Sequence, residues 1–204
     1  MSGLCIQSDF TDFYDILSDN NSIITYNRYI GNSMQRGSAL KYLKSLGIKT
    51  LNIQQVNKFF RGDGPIVVYT DPTKHNGTGK VIMSVDEAML YHANCVASSY
   101  YSSDGLTIKY LQIGKRRFTL YFKKTDKYSL NMGTLVDIRE TTPEYNRLFG
   151  LPIFSIDYIS NGKEMIATDF NQVENLGRLG INRFISPSDI IAEIKDALAI
   201  YNKV

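Results

Sequence analysis

The sequence predicts an α+β fold, because alternating apolar runs joined by tight turns share the chain with helical periodicities that carry their own start and stop signals. Three features support this. Residues 106–113 and 117–122 alternate about Gly114-Lys115, and 153–159 and 164–170 flank Asn161-Gly162. Leu40, Leu43 and Leu46 recur at helical spacing just before Gly47. With 204 residues, 43% of them hydrophobic, the chain can bury a sizeable core as one domain or two packed lobes.

In chain order, the first segment (1–35) is short. Its SDFTDFYD stretch interleaves Asp9, Asp12 and Asp15 with Phe10, Phe13 and Tyr14. That pattern fits a substrate-facing loop whose carboxylates bind an amine or cation, and equally a partly buried element with solvated acids. A short β-prone run, Ile23-Ile24-Thr25-Tyr26, precedes a helix over 33–46 that Gly47 terminates, and a strand is expected over 49–53. Gly62, Gly64 and Pro65 mark a boundary. Pro65-Ile66-Val67-Val68-Tyr69 then reads as a buried strand, followed by a loop over 70–79. Ser84-Val85-Asp86-Glu87 is a capping box that opens a helix to about Ala93. After the hairpin about Gly114-Lys115 come a helix over 143–149 and the second hairpin. Ser186-Pro187-Ser188-Asp189 caps a final amphipathic helix to about Tyr201.

The formal charge of +3, from 23 basic and 20 acidic residues, is too small to make nucleic acid the default partner. Cys5 and Cys95 are far apart and form no CxxC pair, and His75 and His92 lack a neighbour at metal spacing, so neither zinc nor a disulfide framework is indicated. No charged-then-apolar leader opens the sequence and no run is long enough to span a bilayer, so a cytoplasmic protein with no membrane partner is expected.

The most informative stretch is FSIDYISNGKEMIATDFNQV. Pairing about Asn161-Gly162 brings Asp157 beside Asp169 and Asn171. The latter two are two residues apart and so share a sheet face. Two carboxylates and an amide are hard oxygen donors of the kind magnesium takes. Spacing alone also admits a solvent face, with the isoleucines turned to the core. Upstream, Gly77-Thr78-Gly79-Lys80 fits a backbone cradle for phosphate or an ordinary turn, and it is not a Walker A sequence.

An apolar strand ending in Asp, a Gly turn and a second strand ending in acidic-x-Asn resembles the magnesium signature of the ATP-grasp superfamily. PIVVYTDPTKHNGTGKVIMSVDEA resembles that family's strand, phosphate-covering glycine loop and Ser-initiated helix. Arg36 precedes the Leu40-Leu43-Leu46-Gly47-Ile48 helix as the family's phosphate-binding lysine does. KYLQIGKRRFTLYF resembles the strand pair that places a basic residue, here Arg117 or Lys109, near the triphosphate, and Asn131 and Gly133 match an Asn-x-Gly pattern.

The resemblance, spanning about Arg36 to Leu198, implies an ATP-grasp-like α+β domain of two packed lobes with mainly antiparallel sheets and flanking helices. Residues 36–124 would form the smaller nucleotide-clamping part and 125–204 the metal-binding part. It implies ATP and Mg2+ as cofactors, with Asp157, Asp169 and Asn171 on the metal and Arg36, Gly77, Thr78, Gly79, Lys80 and Lys109 on the nucleotide. Arg117 and Lys80 would assist catalysis. The implied activity is an ATP-dependent ligase joining a small-molecule or peptide carboxylate to an amine or thiol through an acyl phosphate.

The match departs in places. Tyr69 stands where the family has a nucleotide-contacting lysine, the ribose-binding acid has no counterpart unless Asp104 is displaced into that role, and Ser129 and Ser155 stand where many members have arginine. These departures also fit a degenerate ATP-grasp fold that acts as a nucleotide-binding or protein-interaction module without catalysis. Nucleic-acid binding through Lys115, Arg116, Arg117, Lys123 and Lys124 is the least supported reading, since such alternation usually marks a half-solvated sheet.

Overall fold

The computed structural model describes residues 36–62, 64–71, 79–102, 105–124, 126, 130, 132–141, 153–160, 164–171, 179, 181 and 184–201. In chain order these form α1 (Arg36–Ser45), β1 (Ile53–Gln55), β2 (Ile66–Tyr69), β3 (Lys80–Met83), α2 (Val85–Tyr91), β4 (Val96–Ser99), β5 (Leu106–Ile113), β6 (Arg116–Lys123), β7 (Thr134–Glu140), β8 (Ile153–Ser160), β9 (Met165–Asn171) and α3 (Pro187–Tyr201). The strands make two antiparallel sheets, one of four strands in the order β1-β4-β2-β3 and one of five in the order β7-β6-β5-β8-β9. This is the α+β architecture that the hairpin and helix signals predict.

The helices begin and end where local chemistry dictates. Gly47 takes φ +83, which its missing Cβ permits, and the Ile48 and Gly47 amides donate to the Leu43 and Lys44 carbonyls in a Schellman closure of α1. At the start of α2, Ser84 Oγ accepts from the Glu87 amide at 3.2 Å while the Ser84 amide donates to Glu87 Oε2 at 2.9 Å. Ser186 Oγ accepts from the Asp189 amide at 3.1 Å and so caps α3.

Strand alternation sorts the side chains of the larger sheet onto two faces. One carries Leu111, Ile113, Phe118, Leu120 and Ile153 against Ile190, Ile191 and Ile194 of α3. The other carries Tyr110, Phe154, Ile156 and Phe170 against Ala39, Leu40 and Leu43 of α1. In the smaller sheet, Ile66, Val68 and Ala97 bury against Ala88 of α2, which leaves Val67, Tyr69 and Ser98 on the opposite face.

Several expectations change. The strand predicted over 49–53 is reduced to a single parallel bridge between Thr50 and Ala167, and β1 starts only at Ile53. The helix from Ser84 stops at Tyr91, two residues short of Ala93, with His92 as its C-cap. Strands β3, β4 and β7 were not anticipated. The expected division at 124/125 cuts the larger sheet, because the β5–β6 hairpin pairs through β5 with β8 rather than with the smaller sheet. The predicted helix over 143–149, the Asn161-Gly162 turn and the segment 1–35 lie outside the described residues.

Candidate active site

The larger sheet builds its site from one row of register. Lys109 on β5 pairs with Asp157 on β8, and Asp157 pairs with Asp169 on β9, so three charged side chains lie side by side on one face across three adjacent strands. The next row on that face is Leu111, Ser155 and Asn171. A bulge between Asp157 and Tyr158 takes up Thr168 and brings Asp169 opposite Asp157.

Lys109 is 3% exposed, and its Nζ lies 2.6 Å from Asp157 Oδ1 and donates to Ser155 Oγ at 3.1 Å. Ser155 Oγ also accepts from Asn171 Nδ2 at 3.3 Å. Asp157, with a side chain 19% exposed, opens toward solvent, and Asp169 Oδ1 accepts from the Phe170 amide at 3.1 Å. Asp157 Oδ1 is buried against the Lys109 ammonium. Its charge is met by the ammonium while lone-pair capacity remains for a cation.

A cleft lies over this row, between the two sheets. The smaller sheet contributes Val67, Tyr69, Lys80 and Ser98, and the larger contributes Thr107, Asp157 and Asp169. Lys80 is directly opposite Tyr69 in the β2–β3 ladder, with Nζ 5.8 Å from the tyrosine ring centroid, and the Tyr69 hydroxyl is 3.3 Å from Ser98 Oγ. The cleft also takes in Lys124, which was read from sequence only as part of a basic stripe. Burial pushes the Lys124 ammonium below the ordinary lysine pKa, and Asp126 partly opposes that shift. No sequence signal singles out Lys124, since its place in the cleft depends on how the two sheets pack rather than on any local spacing.

The expected site residues therefore separate. Asp157, Asp169, Asn171 and Lys109 come together on one face, and Lys80 lies across the cleft from the two aspartates. Gly79 is in the left-handed region at φ +69, where its carbonyl accepts from the Thr70 and Asp71 amides and closes the β2–β3 loop. Gly77 and Thr78 lie outside the described residues, as do the Arg36 side chain, Asn131, Ser129 and Asp104, whereas Arg36 itself opens α1.

Arg117 is a correction. It pairs with Gln112, three residues from Lys109, so it projects from the opposite sheet face, where its Nε donates to Gln112 Oε1 at 3.4 Å and its Nη1 to the Lys115 carbonyl at 3.1 Å. The two-residue turn at Gly114-Lys115 already fixes that parity. Its neighbour Arg116 is engaged by Glu140 at 2.8 and 3.0 Å, which raises the Arg116 pKa and lowers that of Glu140.

No protein-family model matches the chain, and no curated protein matches it in sequence. Solved structures do match it in fold. D-alanine–D-alanine ligase from Bacillus anthracis, complexed with ATP, matches at TM-score 0.53 and 14% identity over 86% of this chain and 68% of its own. The macrocyclase MdnC of Microcystis aeruginosa, bound with precursor peptide MdnA, matches at TM-score 0.55 and 14% identity over 84% and 61%. A RiPP-associated ATP-grasp ligase of Chryseobacterium gregarium, in complex with ADP and a leader and core peptide, matches at TM-score 0.57 and 13% identity over 87% and 62%. The chain thus spans between about three fifths and two thirds of the length of these proteins. Among the described residues no helix is long and apolar enough to cross a membrane. Two antiparallel sheets closing on a carboxylate-lined cleft, matched at these scores, make this chain a divergent form of the ATP-grasp fold.

Proposed function

We propose that the chain is an ATP- and magnesium-dependent ligase that joins a carboxylate to an amine or thiol through an acyl phosphate. The observation that carries this reading is the pairing of Asp157 with Asp169 beneath the cleft between the two sheets of an ATP-grasp fold. Two carboxylates and an amide at Asn171, side by side on one sheet face, fit a hard divalent ion. Magnesium, when bound, would neutralise the charge that phosphoryl transfer develops.

The protein groups divide the remaining work. Asp157, Asp169 and Asn171 hold the metal, and Lys80, extended from β3 over the cleft, meets the polyphosphate. Lys80 stands directly across the ladder from Tyr69, one strand away from the place where the family resemblance expects a lysine. Gly77, Thr78 and Gly79 close the loop over the phosphates, and Arg36 adds charge. Arg117 has no part in this proposal. A substrate carboxylate oxygen attacks the γ-phosphorus as the bond to the β,γ-bridging oxygen breaks and ADP leaves. The amine or thiol then attacks the acyl carbon, phosphate departs, and the nucleophile gives its proton to solvent. The test is trapping with hydroxylamine. Full-length protein, ATP, magnesium and a mixture of carboxylates should yield a hydroxamate that Asp157→Asn abolishes, and absence of both hydroxamate and ADP would contradict the ligase reading.

A second reading, a nucleotide-binding or protein-interaction module without catalysis, is favoured by one observation. The buried ammonium of Lys109 already neutralises Asp157, and Ser155 rather than an arginine sits beside it. Metal-dependent nucleotide binding without ADP formation across acid and amine mixtures would select it.

A further inference from the structure

We propose that the face of the larger sheet turned away from the cleft carries, on β6 and β7, a docking site for an extended acidic segment of a protein partner. Strand alternation places Arg117, Thr119, Tyr121 and Lys123 of β6 on that face, beside Asp137 and Arg139 of β7. Three cations against one carboxylate leave a local charge of +2 among these residues. The apolar cluster beneath α1 draws on β5, β8 and β9 and reaches only Tyr121 of β6, and the Arg139 side chain is left 68% exposed. This polar half of the face lies on the opposite side of the sheet from Asp157 and Asp169, so the inference stands apart from the nucleotide-site reading.

The spacing of the charges selects the partner. Arg139 stands opposite Thr119, which sets it diagonal to Arg117 at about 7 Å across the ladder. Both guanidiniums are anchored. Arg139 Nε donates to Asp137 Oδ2 at 2.7 Å and its Cζ lies 5.0 Å from the centroid of the Tyr121 ring, while Arg117 is tied to Gln112 and the Lys115 carbonyl. Anchoring keeps the two charges apart instead of letting them converge on one small anion. An extended peptide projects residues i and i+2 to one side about 6.8 Å apart, so the two carboxylates of an acidic-x-acidic segment match the pair. Asp137 engages Nε, which leaves Nη1 and Nη2 of Arg139 as a two-pronged donor for a carboxylate. Nucleic acid fits less well, because base stacking needs an open aromatic face and the Arg139 guanidinium lies over the Tyr121 ring.

The test is fluorescence anisotropy of the full chain with a short labelled peptide of alternating Glu and Ser at low ionic strength. Wild type should bind it, with an affinity that falls as salt is raised. Arg139→Gln and Arg117→Gln should each weaken binding about fivefold. Arg116→Gln removes the same charge from the other face of the sheet and should change the affinity by less than about twofold. Circular dichroism checks that each variant is folded, and should Arg117→Gln fail to fold, the exposed Arg139 still decides. No binding by folded wild type overturns the proposal, as does an Arg116→Gln loss equal to that of Arg139→Gln, which would mean that net charge alone attracts the peptide. Tighter binding of a labelled oligothymidylate, weakened by Arg139→Gln, would overturn it in favour of nucleic acid.

Discussion

Asp169→Asn is the most informative single change. The substitution keeps size and an oxygen that can accept from the Phe170 amide, so β9 should keep its register opposite β8 and lose less than about 1 kcal/mol of stability. What changes is charge. The row of Lys109, Asp157 and Asp169 goes from −1 to neutral. A unit charge about 3 Å from a divalent ion is worth about 2.8 kcal/mol even in water's dielectric, or about a hundredfold in affinity. Calorimetric titration with a non-hydrolysable ATP analogue in magnesium should show that loss, with unchanged far-ultraviolet circular dichroism. Retention of magnesium-dependent affinity within about threefold would refute the assignment of Asp169 to the metal.

Arg117→Ala should leave nucleotide affinity within about twofold of wild type and cost about 1 kcal/mol in urea denaturation, because Arg117 bonds Gln112 and the Lys115 carbonyl on the far face of the sheet. A tenfold loss of nucleotide affinity would return it to the site. Gly133→Ala should cost about 3 kcal/mol, since φ is +96 and a Cβ there would lie 2.3 Å from the Lys123 carbonyl oxygen; a loss under 1 kcal/mol in the same assay would contradict that packing. For Lys124 the folded-state pKa is below the unfolded one. Between the two values the unfolded chain binds the extra proton, so stability rises with pH there. Lys124→Met should therefore be more stable than wild type at neutral pH, and denaturation midpoints should show that advantage shrinking as pH approaches 10.5, the ordinary lysine value. A constant difference would contradict the burial effect.

Local chemistry made much of the fold legible. Gly47, Ser84 and Ser186 announce helix ends because their caps involve neighbours three to five residues away, and the alternation of 106–113 is visible without any partner strand. β4 and β7 were harder. Val96–Ser99 is short and small-residued, and Thr134–Glu140, at the sheet edge, is largely solvent-facing, so neither carries an apolar run. In the site, Asp157 and Asp169 were readable as a pair because they flank one turn. The contact of Lys109 with Asp157 was not, since it depends on β8 returning beside β5 rather than on any spacing within one hairpin. Arg117 was misplaced although its parity about Gly114-Lys115 was present in the sequence.

The central claim, a magnesium-dependent nucleotide site over Asp157 and Asp169, is tested most directly by titrating the wild-type chain with a non-hydrolysable ATP analogue, with and without magnesium. Binding of about micromolar strength that disappears when magnesium is withheld is the predicted result. No binding up to about millimolar analogue, with magnesium present and the protein folded, would contradict it.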